Sequence, residues 1–86
     1  MYKYEKEKQK LFTENGQVVF LRVRDFVRET LESSKYIDME QVLDNVYTGD
    51  NWITMSCVDR LVELGELVEI TNNHVAGQNR VFKNAL

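Results

Sequence analysis

Val19, Val23, Phe26, Val27 and Leu31 recur at i, i+4, i+7, i+8 and i+12, which is one apolar stripe of a helix in the segment after Asn15-Gly16. Arg22, Arg24, Asp25, Arg28, Glu29 and Glu32 fall largely off that stripe, as a solvated face requires. Residues 18–23 are also rich in β-branched and aromatic side chains, so the first turns of this helix admit a strand reading as well. Ser33 and Ser34 end it, and Ile37 fits a short strand. Asp38-Met39-Glu40-Gln41 then has an acidic N-cap with a glutamine three residues on, the pattern of a capping box. Met39, Val42, Leu43, Val46 and Tyr47 follow at helical spacing and predict a short second helix that stops at Thr48-Gly49-Asp50. Asp50 or Asn51 caps a third helix with the apolar face Cys57, Val58, Leu61 and Leu64, closed by Gly65 as a left-handed C′ residue.

After Gly65 the period changes. Residues 67–71 and 80–83 are short, rich in Val, Ile, Phe and Thr, and separated by a polar loop at 72–79 that contains Gly77, which predicts a hairpin. With no proline in the chain, the glycines at 16, 49, 65 and 77 serve as its punctuation. The expected class is α+β and mainly helical. Residues 15–86 form three helices and a C-terminal two-stranded hairpin, after a charged N-terminal arm of residues 1–14 that the pattern leaves open among helix, strand and flexible chain.

That element order resembles the winged-helix superfamily. The strongest local resemblance lies in Val58-Asp59-Arg60-Leu61-Val62-Glu63-Leu64-Gly65-Glu66-Leu67-Val68-Glu69-Ile70, which is similar to the end of a winged-helix recognition helix running through its glycine turn into the first wing strand. In element order the likeness spans about residues 17–84, and it is specific over about a dozen of them. It implies a three-helix winged-helix domain with a hairpin wing, and it implies DNA binding. The third helix would lie in the major groove and the hairpin tip at the minor groove or backbone. Carried over by position, Ile53, Met55, Ser56, Asp59, Arg60 and Glu63 would face the groove, with Asn73, His74, Gln78 and Asn79 in the tip.

Charge changes that picture. Neutralising phosphates takes Lys and Arg on the contacting face, yet residues 38–69 hold one basic residue, Arg60, against eight acidic ones, a net of −7 in a chain of net −3. Lysines 3, 6, 8 and 10, Arg22, Arg24, Arg28, Arg80 and Lys83 lie elsewhere and leave a different edge open to phosphates. Trp52, Ile53 and Met55 cannot all turn inward together with Cys57, Val58, Leu61 and Leu64, and Trp and Met are enriched in the cores of protein interfaces. Trp52 either seals the core against Tyr47 or the first helix, or is part of such an interface. The functional expectation is a cytoplasmic module that binds a protein partner or a second copy of itself. Trp52, Ile53, Met55, Ser56, Asp59 and Arg60 on the third helix would contact the partner, with Asn73, His74, Gln78, Asn79 and Arg80 on the wing. A DNA-binding transcriptional regulator is the alternative.

Composition narrows the remaining classes. Eighty-six residues, 43% apolar and 29% charged, suit one small globular domain. The longest apolar run, Val18-Val19-Phe20-Leu21, is far below the roughly 20 residues of a membrane span, and the lysine- and glutamate-rich start predicts no secretory signal peptide. The single cysteine, Cys57, has no disulfide partner, which suits a reducing compartment. Cys57 and His74 stand 17 residues apart without companions, so neither a zinc site nor a nucleophile–base pair is expected. The glycines never cluster into a phosphate loop. No enzyme activity, cofactor or metal is expected.

Overall fold

Thr13 opens the longest helix. Its backbone is extended, and its side-chain oxygen accepts from the Gly16 N–H at 3.0 Å, satisfying one of the donors that a helix start leaves free. In this computed structural model, which describes residues 1–72 and 75–85, that helix is α2, Glu14–Ser33. Two short helical turns precede it: α1, Tyr4–Glu7, and a 3₁₀ helix, Lys8–Phe12. The expected stripe of α2 is present, with Val23 and Val27 buried and Val19, Phe26 and Leu31 packed at the edges of the core. Residues 18–23 are helical throughout. Asn15 and Gly16 lie inside the first turn, so Gly16 does not break the chain there as its role of punctuation had suggested.

The strand β1, Ile37–Asp38, leads directly into α3, Met39–Asn45. Both halves of the capping box form, the Gln41 N–H to Asp38 Oδ1 at 2.8 Å and the Asp38 N–H to Gln41 Oε1 at 3.0 Å. Because α3 ends at Asn45, Tyr47 falls beyond the helix and is 81% exposed rather than continuing the apolar face. Asp50 caps α4, Asn51–Glu63, through the Trp52 N–H at 2.8 Å. Its C-terminus is a Schellman turn, with the Glu66 N–H on the Leu61 carbonyl at 3.0 Å and the Gly65 N–H on the Val62 carbonyl at 3.0 Å. Gly65 takes φ +80°, a conformation that costs a residue with a Cβ about 1 kcal/mol or more. Thr54, Cys57, Val58 and Leu61 form the buried stripe of α4, whereas Leu64, one residue past the helix, is half exposed instead of completing it.

The hairpin consists of β2, Leu67–Glu69, and β3, Val81–Asn84, and β3 pairs antiparallel with both β2 and β1, giving the order β1-β3-β2. Phe82 sits at the centre of this small sheet, opposite Ile37 on one side and Glu69 on the other, and is fully buried. A single core joins Val23 and Val27 of α2, Met39 and Val42 of α3, Cys57, Val58 and Leu61 of α4, and Ile37, Leu67 and Phe82 of the sheet. Leu11 belongs to the same core, so the N-terminal residues pack onto the domain as part of its fold. Among the described residues no helix is long and apolar enough to cross a membrane.

Candidate interaction face on helix α4

Successive residues of an α-helix are about 100° apart, so Trp52, Ser56, Asp59, Arg60 and Glu63 share the side of α4 that points away from Thr54, Val58 and Leu61. Among the described residues, this outward side is met by the N-terminal residues and by the hairpin. The Tyr2 hydroxyl donates to Asp59 Oδ2 at 2.6 Å, the Tyr4 hydroxyl to Glu63 Oε1 at 2.8 Å, and Lys8 Nζ pairs with Glu63 Oε2 at 2.7 Å. The Tyr2 ring meets Trp52 edge to face, centroids 6.4 Å apart, which is a favoured geometry for an aromatic pair. Arg60 lies over Phe12 at 5.3 Å and pairs with Glu63 at 2.6 Å.

Arg80 occupies the flank between α4 and the hairpin. Its Nη2 is 2.7 Å from Asp59 Oδ1 and 2.7 Å from Glu69 Oε1, its Nε is 2.9 Å from Glu69 Oε2, and its guanidinium lies over the Phe82 ring at 5.2 Å. Arg80 holds the Glu69 carboxyl below its ordinary range by hydrogen bonding, with burial acting the opposite way. Burial first, then the hydrogen bond to Asp59, raises the Tyr2 hydroxyl above its ordinary value. Tyr4 is raised in the same way by burial and by Glu63.

These positions correct several sequence expectations. Ser56 is fully buried, with its hydroxyl donating to the Ile53 carbonyl at 2.7 Å, so in this structure it offers nothing to a partner. Asp59 and Arg80 were expected as partner-facing charges but pair with each other, their side chains only 14% and 18% exposed. The acids of α4 therefore do not stand as an open anionic field, because Lys8, Arg60 and Arg80 balance them. Trp52 does not seal the core; it is 41% exposed and packs on Tyr2. Ile53 and Met55 are half-buried, and a side chain placed at Gly77 would meet the Met55 methyl at 3.2 Å, so the hairpin loop partly covers Met55. Gln78 and Asn79 are exposed in a 3₁₀ turn, Gly77–Asn79, while the expectations for Asn73 and His74 lie outside the described residues.

The pattern of the sequence missed Tyr2, Tyr4 and Tyr47. Tyr47, Gly49, Asp50, Asn51 and Trp52 line a shallow, open depression at the start of α4. The presence of tyrosines 2 and 4 in an otherwise charged arm was the available signal. Cys57 is buried, and burial pushes its thiol up to about 12, which closes thiolate chemistry to it. Among the described residues no group of His, Cys, Asp and Glu is placed to hold a metal ion.

A pH dependence follows from Glu63. Hydrogen bonds from Lys8, Tyr4 and Arg60 hold its carboxyl down at about 2, from an ordinary 4.5. A carboxylate depressed by folding stabilises the folded contact above its ordinary value and ceases to as pH falls through the folded one. The attachment of the N-terminal residues is thus intact at neutral pH and weakens between about pH 4.5 and 2. Trp52 fluorescence, which reports on Tyr2, is expected to change over that interval, and Glu63→Gln should remove most of the change. An identical acid transition in the variant would reject the assignment.

No family model matches the chain, and no curated protein or solved structure matches it significantly.

Proposed function

We propose that the chain is a winged-helix module that acts by binding a protein partner, or a second copy of itself, through α4 and the β2–β3 hairpin. The order of α2, β1, α3, α4, β2 and β3, with β3 between β1 and β2, supports the winged-helix part of the reading. One observation carries the functional part. The outward side of α4, which a groove-reading protein would present to DNA, is aromatic and acidic and already accommodates a polypeptide segment through Trp52, Asp59 and Glu63. A polyanion gains little there, since Arg60 and Arg80 are engaged with carboxylates. A polypeptide gains aromatic surface, because Trp52 and Tyr47 remain exposed beside one another at the helix start.

Tyr47→Asp is the informative variant, because a side chain 81% exposed is not needed for folding. The parent protein is expected to self-associate by light scattering, and the variant to be a monomer with an unchanged circular dichroism spectrum. DNA binding as a transcriptional regulator is the competing reading. It gains the field if the protein is a monomer at all concentrations and binds random-sequence duplex at micromolar concentration, with an affinity that falls steeply as salt rises.

A further inference from the structure

The N-terminal residues are held in two zones of different strength. From Lys10 to Gln17 the chain is locked. Leu11 is in the core, the Thr13 hydroxyl donates to the Lys10 carbonyl at 2.8 Å, and the Gln17 amide donates to the Leu11 carbonyl at 2.6 Å. Before Lys10 the attachment is made by side chains: the Tyr4 ring packs at the edge of the core, and two tyrosine hydroxyls, one ammonium and one ring edge reach α4. A four-residue helix such as α1 has no stability of its own, and the Lys8–Glu63 pair is exposed enough to contribute little. Within residues 1–9 the one buried residue is Glu7, and its partner at 2.9 Å, Lys10, is the first residue of the locked zone, with a side chain more than half exposed.

Opening this outer zone strands no charge. Asp59 keeps Arg80 at 2.7 Å, Glu63 keeps Arg60 at 2.6 Å, and the Ser56 hydroxyl keeps the Ile53 carbonyl. Each acceptor loses a tip contact and retains a cation, which is far cheaper than baring an unpaired carboxylate. The surface these contacts occupy takes in Trp52, Asp59 and Glu63, on the side of α4 where the sequence pattern places partner-binding residues.

We propose that residues 1–8 are a displaceable strap, and that the protein partner of α4 binds by replacing it with a segment of the same chemistry: two hydroxyl-bearing aromatic side chains two residues apart, followed by a lysine. This rests on the reading of α4 as a protein-binding face and names the occupant that the face accepts. The strap then acts as a built-in competitor. A partner's apparent affinity is its intrinsic affinity multiplied by the fraction of molecules with the strap open, and local opening of such a weakly held terminus is far more frequent than unfolding of the core.

The test uses the full chain and a synthetic peptide of residues 1–10 as the probe. By hydrogen exchange, the amides of residues 4–8 are expected to exchange at least about a hundredfold faster than those of Val23 and Val27. The doubly substituted Tyr2→Phe, Tyr4→Phe protein keeps both rings and loses both hydroxyls. It is expected to bind the peptide about tenfold tighter than the parent protein does, read by Trp52 fluorescence. Equal exchange rates for strap and core would overturn the proposal, because the segment would then be a fixed layer. Fast exchange with no gain in peptide binding would overturn it too, because the bared face would not take that chemistry. Failure of the wider reading looks different: the peptide binds the loosened protein while Tyr47→Asp leaves the assembly state unchanged.

Discussion

Arg80→Ala is expected to lower the stability of the fold by about 3 kcal/mol, the low end of what breaking a buried ion pair costs. For a domain of this size that is a fall in Tm on the order of 15 °C. Arg80 reaches Asp59 on α4 and Glu69 on β2 from the position just before β3, so one guanidinium ties the helix to both strands of the hairpin. The three side chains are between 14% and 26% exposed, so solvent screens them only in part. Alanine leaves two carboxylates near one another without their shared counter-ion, and it removes the flat group that covers Phe82. Lysine at 80 should recover less than half of the loss, since a single ammonium cannot serve two carboxylates as a planar fork does. The triple variant Arg80→Met, Asp59→Asn, Glu69→Gln is expected to return close to the parent, because the cost lies mainly in the stranded charges. Chemical denaturation checks the series. A loss below about 1 kcal/mol for Arg80→Ala would mean that the network behaves as an ordinary surface salt bridge.

Arg80 also marks the limit of what the sequence makes legible. Elements specified by neighbours in the chain were readable: the apolar stripe of α2, the capping box of Asp38 and Gln41, the glycine turn after α4 and the two hairpin strands all follow from local spacing and propensity. Ile37 was readable as a short strand as well. Contacts between residues far apart in the chain were not readable. Nothing in the vicinity of Arg80 names Asp59, 21 positions earlier, and nothing in Tyr2 names the same carboxylate 57 positions later. The expected anionic face of α4 was a sum over sequence, and two of the three counter-charges that balance it, Lys8 and Arg80, come from the two ends of the chain.

Two misplacements have local causes. Tyr47 matched the stripe of α3 by number, but the helix stops at Asn45, and a periodic match carries no meaning once the backbone leaves the helix. Leu64 matched α4 in the same way and sits at its C-cap, where it lines a partly enclosed pocket with Leu11, Phe12, Phe20 and Arg60. Candidate interface residues suffered differently. Counting how many large side chains one face can bury required one of Trp52, Ile53 and Met55 to be exposed without saying which, and nothing in the spacing marked Ser56 as fully buried.

Gly16→Ala is expected to destabilise the protein by about 2 kcal/mol, as overpacking at a tight backbone contact does. An alanine inside a helix ordinarily gains up to about 1 kcal/mol over glycine, so the sign alone is diagnostic. At this position a Cβ would lie 2.0 Å from the Lys10 carbonyl oxygen and 2.7 Å from the Leu11 Cα. Both are backbone atoms, which cannot rotate aside as a side chain would, so the first turn of α2 and the 3₁₀ helix have to move apart. That motion draws Leu11 out of the core and loosens the Thr13 and Gln17 hydrogen bonds that hold the junction. Because α1 runs directly into the 3₁₀ helix and moves with it, the Tyr2–Trp52 contact should also weaken, and Trp52 emission should shift at temperatures where the core is still folded. Asn15→Ala, at the exposed neighbouring position of the same turn, serves as the control and is expected to change stability by less than about 0.5 kcal/mol. If Gly16→Ala matched or exceeded that control in Tm, the close approach of the N-terminal segment to α2 would not exist in solution, and residues 1–12 would have no fixed place over α4.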